Sequence, residues 1–365
     1  MTVPKTVLCA IGTRPEAIKM APVILALRAD PAFRCRVLAT AQHRQMLDQV
    51  LSVFGIVPDV DLDIMQPDQS LCDLTGRLLL RLGTVMAEEA PDIVLAQGDT
   101  TTVLTTAIAA FYARIPFGHV EAGLRTGDPC NPFPEEMNRV LTARLASWHF
   151  APTPQAAHHL RVENTPDHAI HVTGNTVIDA LHQVRDKARR PACLTPGRRL
   201  ILATLHRREN FGAPLARICA ALRAIVEANE DVELLLPVHH NPNVRATVTE
   251  AFRGCCRAHL TDPLDYLDFV GAMEHAHMVM SDSGGVQEEA PALGKPVLIL
   301  RETTERPEAV EAGVAALVGT DAGAIRARAQ RLLDDPAAYA AMARGASPFG
   351  DGQAARRILG VLRAA

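Results

Sequence analysis

Aromatic side chains are scarce in this chain of 365 residues: one Trp, three Tyr and ten Phe, 4% of the whole. A core without large rings has to come from Val, Leu, Ile and Ala, and a hydrophobic fraction of 48% supplies them. That suits parallel α/β sheets, whose strands are buried on both faces. Apolar runs are short. None reaches the roughly 18 residues that mark a membrane helix. "VLCAIG" near the start leads directly into "TRPE" and is too short for a signal-peptide core. No sign of charge dominates, since 37 basic against 41 acidic residues leave −4. A nucleic-acid partner is therefore not expected, and no polybasic run marks an anionic membrane.

Other absences narrow the chemistry. The eight cysteines contain no C-x-x-C pair, and Cys255 and Cys256 are adjacent, a poor geometry for a mutual disulfide. Free thiols in a reducing cytoplasm are expected. The histidine pairs His158–His159 and His239–His240 lack partners at zinc spacing, so no metal is expected. After the first apolar run "GTRPEA" stands where a G-x-G-x-x-G would, which argues against a tightly held NAD.

What is present is an alternation. "TVLCAIG", "RCRVLAT", "PDIVLAQGD", "PFGHVEA", "WHFAPT" and "AIHVTGN" read as strands separated by helical stretches. The pattern breaks at 182–199, a basic segment rich in Pro and Gly that reads as a linker. It restarts with "LILATLH", "VELLLPVH", "HMVMSD", "PVLIL" and "AALVG". This βαβα order predicts two doubly wound, Rossmann-like lobes, over 1–180 and 198–348. A basic amphipathic helix over 349–365 is expected to pack across them.

In open α/β sheets, ligands bind beyond the carboxyl ends of the strands. Here those ends are polar: "GTRPEAIK", "QGDTTT", "HVEAGLRTGD", "HRREN", "PVHHNPN" and "SDSGGVQEE". Each alone is explained by a turn with a helix cap, Asp99 or Asp282 for example. Together, at one edge, they predict a site. Ser283, Gly284 and Gly285 form a glycine-rich turn into a helix, a seat for phosphate. Glu289 follows within reach of a sugar hydroxyl. Arg306, and Arg14, Lys19, His206 and Arg207 from the other segments, offer cations to a diphosphate that gains charge as it leaves. Asp99, Glu121, Glu135 and Glu136 gather at the first lobe's edge. Mutual repulsion there is expected to raise at least one carboxyl toward neutrality.

The ordered motifs "GTRPEAIKMAPVI", "TAQHRQML", "QGDTTT", "GHVEAGLRTGD", "PFPEEMNR", "VTGNTVIDAL", "HRREN", "PVHHNPNVR", "DSGGVQEEAPALGKPVL", "RETTERPEAVEAG" and "PFGDGQAARRI" closely resemble the non-hydrolysing UDP-N-acetylglucosamine 2-epimerases of bacteria, from about residue 5 to residue 360. The resemblance implies a glycosyltransferase-B-like fold with the active site in the interlobe cleft, and a cytoplasmic homodimer serving polysaccharide biosynthesis. It implies reversible conversion of UDP-GlcNAc to UDP-ManNAc without cofactor or metal, through elimination and re-addition of UDP. Asp99, Glu121 and Glu135 are carried over as acid/base groups, and His206 as a diphosphate or proton-transfer partner. Arg14 and Lys19 are carried over as first-lobe contacts. Ser283, Gly284, Gly285, Glu289 and Arg306 form the implied UDP seat, with Phe269 lining a uracil pocket. A second UDP-GlcNAc, bound as an activator, is implied at Gln42, Gln45, Glu135 or Glu136, Arg207 and His239. The loop "IMQPDQSL" departs from the pattern, with Asp68 at a position expected to be basic; an acid there repels a diphosphate.

Overall fold

The computed structural model describes residues 3–40, 44–66, 69–345 and 347–365, with the side chains of residues 44–46, 208 and 243 left aside. Contacts divide the chain into two compact units. The first holds residues up to Gln183 together with Phe349–Ala365, and the second is Val184–Pro348.

The first unit is built on seven parallel strands: β1 (Lys5–Ile11), β2 (Phe33–Ala39), β3 (Val60–Asp61), β4 (Ile93–Gln97), β5 (Phe117–Val120), β6 (Trp148–Ala151) and β7 (Ile170–Val172). Their spatial order is β3-β2-β1-β4-β5-β6-β7. The chain works outward from β1 to one side, then returns to begin β4 on the other. β1 and β4 therefore flank the switch point where doubly wound sheets bind ligands. β4 is buried along its whole length, which is why it reads as a continuous apolar run.

The second unit has six parallel strands: β8 (Arg199–Thr204), β9 (Val232–Pro237), β10 (Ala258–Thr261), β11 (Ala276–Ser281), β12 (Val297–Ile299) and β13 (Ala315–Leu317). Their order is β10-β9-β8-β11-β12-β13, so the switch point lies between β8 and β11. β10 has no sequence signature because it is an edge strand, half-buried along its length. The predicted linker is shorter than expected. Helix Thr176–Val184 and a 3-10 turn, Arg185–Lys187, cover its beginning. The rest is tied to the second unit. Arg189 pairs with Asp268 at 2.7 Å, and the Thr195 N–H donates to the buried Glu233 at 2.8 Å.

Helix Ala354–Ala364, expected across the lobes, belongs to the first unit, where it packs on helix Arg14–Arg28. Ile358 and Leu362 are buried, Asp179 accepts the N–H groups of Ala354 and Ala355, and Arg363 pairs with Asp30 at 2.7 Å. All eight cysteines are free thiols. No helix among the described residues is long and apolar enough to cross a membrane.

His119 and His149 face each other in register on β5 and β6, both buried. Burial pushes His119 down to about 3 and His149 to about 4, so both are neutral in the fold. In the unfolded chain each titrates near 6.5. As pH falls from about 6.5 toward 4, the unfolded chain therefore binds protons that the fold refuses, and stability drops by up to about 1.4 kcal/mol per pH unit for each ring. Urea melts between pH 7 and pH 5 should show this slope, and His149→Phe should reduce it. An unchanged slope in the variant would remove His149 as a cause.

Candidate functional site

The first unit's ligand edge begins where β1 ends. Thr13 caps helix Arg14–Arg28 in a capping box with Glu16. The T-x-x-E spacing was there to be read, yet Glu16 was not among the expected site residues. Its carboxylate accepts the N–H groups of Gly12 at 2.6 Å and Thr13 at 2.7 Å, and the Thr100 hydroxyl donates to it as well. Burial pushes this carboxyl up to about 7, against those hydrogen bonds, which pull it down. Glu16 is thus driven toward neutrality, and the physical cause is burial. The four acids expected to repel one another include two that cations already hold and one that is bound to the same cation.

Glu121 follows β5 in the left-handed region at φ 64°, an uncommon place for a residue with a side chain. Lys19 from helix Arg14–Arg28 reaches both of its carboxylate oxygens at 2.7 Å. The amides of Gln97, at the end of β4, and Asn175 also donate to it. Asp99 follows β4. It does not cap the next helix, Thr101–Tyr112, because Thr100 does. Its carboxylate instead meets Arg139 at 2.5 Å. The same guanidinium holds the buried Glu136 at 2.8 Å, and Glu136 also accepts the N–H groups of Thr126 and Gly127 at 3.0 Å each. Arg139 was missed, although Glu136 and Arg139 stand three apart on helix Glu135–Leu145. Glu135 opens that helix, half-buried, and Arg14 opens helix Arg14–Arg28, also half-buried. Gly12 has a structural reason: an added Cβ would stand 2.4 Å from the Thr102 hydroxyl and 2.6 Å from that of Thr40.

The second unit's edge is organised by Asp282, which follows β11 and is wholly buried. The Thr204 and Ser281 hydroxyls, 2.6 Å apart, tie the ends of β8 and β11 together. Asp282 accepts the N–H groups of His206 and Arg207, and Nδ1 of His206 lies 3.0 Å from its Oδ1. It is not the cap of the following helix. Ser283 holds that position and makes no side-chain cap bond.

Helix Gly284–Ala292 then starts on two glycines, with Pro291 near its end. Neither glycine has a positive φ, and neither is crowded. A Cβ on Gly284 would come no nearer than 3.7 Å to Arg207, and one on Gly285 no nearer than 3.8 Å to Glu289. The fold alone gives no reason for glycine here, although each costs up to about 1 kcal/mol against alanine in a helix.

Arginines surround this helix start. Arg207 approaches Glu305 at 3.8 Å, the buried Arg301 meets Glu305 at 3.4 Å and Glu209 at 2.6 Å, and Arg306 pairs with the buried Glu288. Burial works to raise the Glu305 carboxyl, but the charges of Arg207, Arg301 and Arg306 hold it below the usual range. Glu289 is buried on the same helix, and Phe269 is half-buried on helix Tyr266–His275. His239, after β9, lies close enough to His206 and Asp282 to feel their charges. Of the expected activator residues, Gln42 and the departing Asp68 lie outside the described residues, as does the side chain of Gln45. Among the described residues no group of three or more His, Cys, Asp or Glu is placed to hold a metal.

Two units, each a parallel, doubly wound α/β sheet, define a glycosyltransferase-B-like α/β protein. The glycosyltransferase SnogD from Streptomyces nogalater shares this fold at 15% identity and a TM-score of 0.62. A family model described as UDP-N-acetylglucosamine 2-epimerase matches residues 25–363, and the chain belongs to that family. It is 53% identical over 368 residues to the UDP-N-acetylglucosamine 2-epimerase of Salmonella typhimurium, covering 98% of each chain. It is 51% identical over 355 residues to the Bacillus subtilis enzyme, covering 97% of this chain and 93% of that one. The crystal structure of the Neisseria meningitidis UDP-GlcNAc 2-epimerase bound to UDP-GlcNAc is similar at a TM-score of 0.92 and 44% identity, covering 99% of this chain and 100% of that one.

Arg139 is joined to both Asp99 and the buried Glu136. Removing one partner of a buried pair leaves an uncompensated charge, at a cost of about 3–5 kcal/mol. Arg139→Met should lose about that much stability in urea melts, and adding Glu136→Gln should restore part of it. A single variant as stable as the parent would show that the pair contributes nothing.

Proposed function

We propose that the chain interconverts UDP-N-acetylglucosamine and UDP-N-acetylmannosamine by inversion at C2, without hydrolysis. The observation that carries this reading is likeness along nearly the full length to an enzyme whose crystal structure holds UDP-GlcNAc. The glycine pair at the start of helix Gly284–Ala292 supports it from the chain's own geometry. A bare helix start with room above it lets a diphosphate approach the N–H groups directly. In this reading Ser283, Gly284, Gly285, Arg207 and Arg306 serve the diphosphate, Glu289 a sugar hydroxyl, and Phe269 the uracil.

The chemistry follows from the substrate. The hydrogen at C2 is not next to a carbonyl, so a carboxylate base alone is too weak to remove it. Breaking the C1–O bond first moves an electron pair onto UDP and leaves C1 cation-like, which acidifies C2–H. Loss of that proton to a carboxylate makes the C1–C2 double bond of 2-acetamidoglucal. UDP then adds back to C1 as a second group delivers a proton to the other face of C2. Two of Asp99, Glu121 and Glu135 serve the two faces. Glu121 is the best placed by its fixed geometry, pinned by Lys19, Gln97 and Asn175. Cations and N–H groups aimed at the departing diphosphate lower the barrier to C1–O cleavage.

Incubation with UDP-GlcNAc in D2O tests the reading. Deuterium at C2 of the recovered UDP-sugars is expected, whereas free UDP accumulating beside unlabelled UDP-sugar would sink it. Asp99→Asn and Glu121→Gln should lose most turnover and still bind UDP by calorimetry. Gly284→Ala should fold at least as stably as the parent but bind UDP at least about tenfold more weakly, because the methyl group occupies the phosphate's approach. Parent-like affinity in that variant would remove the glycine argument.

A further inference from the structure

The proposed function leaves Asp282 without a role. Its side chain is fully shielded from solvent, yet it stays ionised. Burial acts to raise its carboxyl, and hydrogen bonds and charge from His206, with the backbone N–H groups of Arg207 and His206, outweigh it. The carboxylate takes the His206 N–H on both oxygens, at 3.1 and 3.0 Å, the Arg207 N–H at 3.0 Å and the Asn210 amide at 3.1 Å. Asn210 is itself buried and fastened to the Leu300 carbonyl at 3.1 Å, so the carboxylate is held from behind. It also meets Nδ1 of His206 at 3.0 Å, and that imidazole is 41% exposed. Closing the loop after β8 requires an acceptor, which a neutral side chain can provide. A buried negative charge costs several kcal/mol unless it is matched. The half-exposed ring that faces the carboxylate gains from a full charge there.

The geometry points to Asp282 as a positioning residue: it holds His206 in the Nδ1–H form and turns Nε2 outward as the nitrogen offered to the diphosphate. The catalytic half of this inference rests on the proposed epimerase reading; the tautomer does not. With Nδ1 committed as a donor, Nε2 alone changes state. As the C1–O bond breaks, the electron pair passes to the UDP oxygen, and an Nε2–H of the imidazolium hydrogen-bonds or protonates it. On re-addition the nitrogen takes that proton back. Asp282 stays ionised throughout and balances the ring's positive charge. Arg207 follows His206 in the chain and approaches Glu305 at 3.8 Å, and His239, after β9, lies close enough to His206 to feel its charge.

Nitrogen-15 NMR of the labelled parent protein reads the tautomer directly. The neutral His206 ring should carry its proton on Nδ1, and Asp282→Asn, whose amide can donate to Nδ1, should move it to Nε2. A neutral parent ring protonated on Nε2 overturns the inference, and that measurement needs no variant to fold. Kinetically, Asp282→Asn should lower kcat for UDP-GlcNAc by at least about tenfold. UDP affinity should change far less. In a His206→Ala background the same change should add almost nothing, because Asp282 acts through the ring. A loss of equal size in both backgrounds, with the tautomer unmoved, would make Asp282 a structural clamp only. If the parent converts no UDP-GlcNAc at all, the epimerase reading fails while the NMR result still decides the dyad.

Discussion

Every strand within each unit runs the same way, and the chemistry of the molecule depends on that constraint. Parallel pairing sends each carboxyl end to one edge, so residues far apart in sequence arrive together. β1 and β4 bring Gly12 and Asp99 to one switch point, and β8 and β11 bring His206 and Asp282 to the other. Strand cores built mainly of Val, Leu, Ile and Ala make this arrangement rigid, with His119, His149 and Glu233 among the few buried polar groups on the strands. Most of the polar site residues sit in the loops that follow, and the tied hydroxyls of Thr204 and Ser281, the last residues of β8 and β11, keep two of those loops from drifting apart.

The charges gathered at these edges are already matched within each unit. Lys19 meets Glu121, Arg139 bridges Asp99 and Glu136, Arg306 meets Glu288, and Asp282 meets His206. A cluster of bare carboxylates would destabilise the fold and scatter its own side chains by repulsion. Pairing removes that cost and holds each group in one direction. Glu16 is the contrast. It has hydrogen bonds but no cation partner among the described residues, and burial drives it toward the neutral form. Its place under the loop after β1 makes it a support for that loop.

The fold class was legible because buried parallel strands leave short apolar runs separated by helical stretches, as in "PDIVLAQGD" and "HMVMSD". β3 and β10 were not legible: one is two residues long and the other is a half-buried edge strand without an apolar run. The polar strand ends could be read for the same reason as the strands. Their partners could not. Nothing in "EEMNR" shows that its arginine reaches Asp99, 40 positions away, and nothing in "SDSGG" shows that its aspartate turns back to His206 instead of capping its own helix. Sequence exposes what a segment is built from, whereas pairing across crossovers is a product of the assembled sheet.

The first unit is not one continuous piece of chain. Its strands are complete by Gln183, but the helix that covers Arg14–Arg28 emerges only after all of Val184–Pro348 has been made. On the ribosome the second unit, contiguous in sequence, is complete while its predecessor still waits for a cover. During that interval the surface destined for Ile358 and Leu362 faces water, and Asp30 lacks Arg363. The later-made half of this molecule is thus the first that can mature, and the earlier-made half is the one exposed to chaperones and proteases during its own biosynthesis.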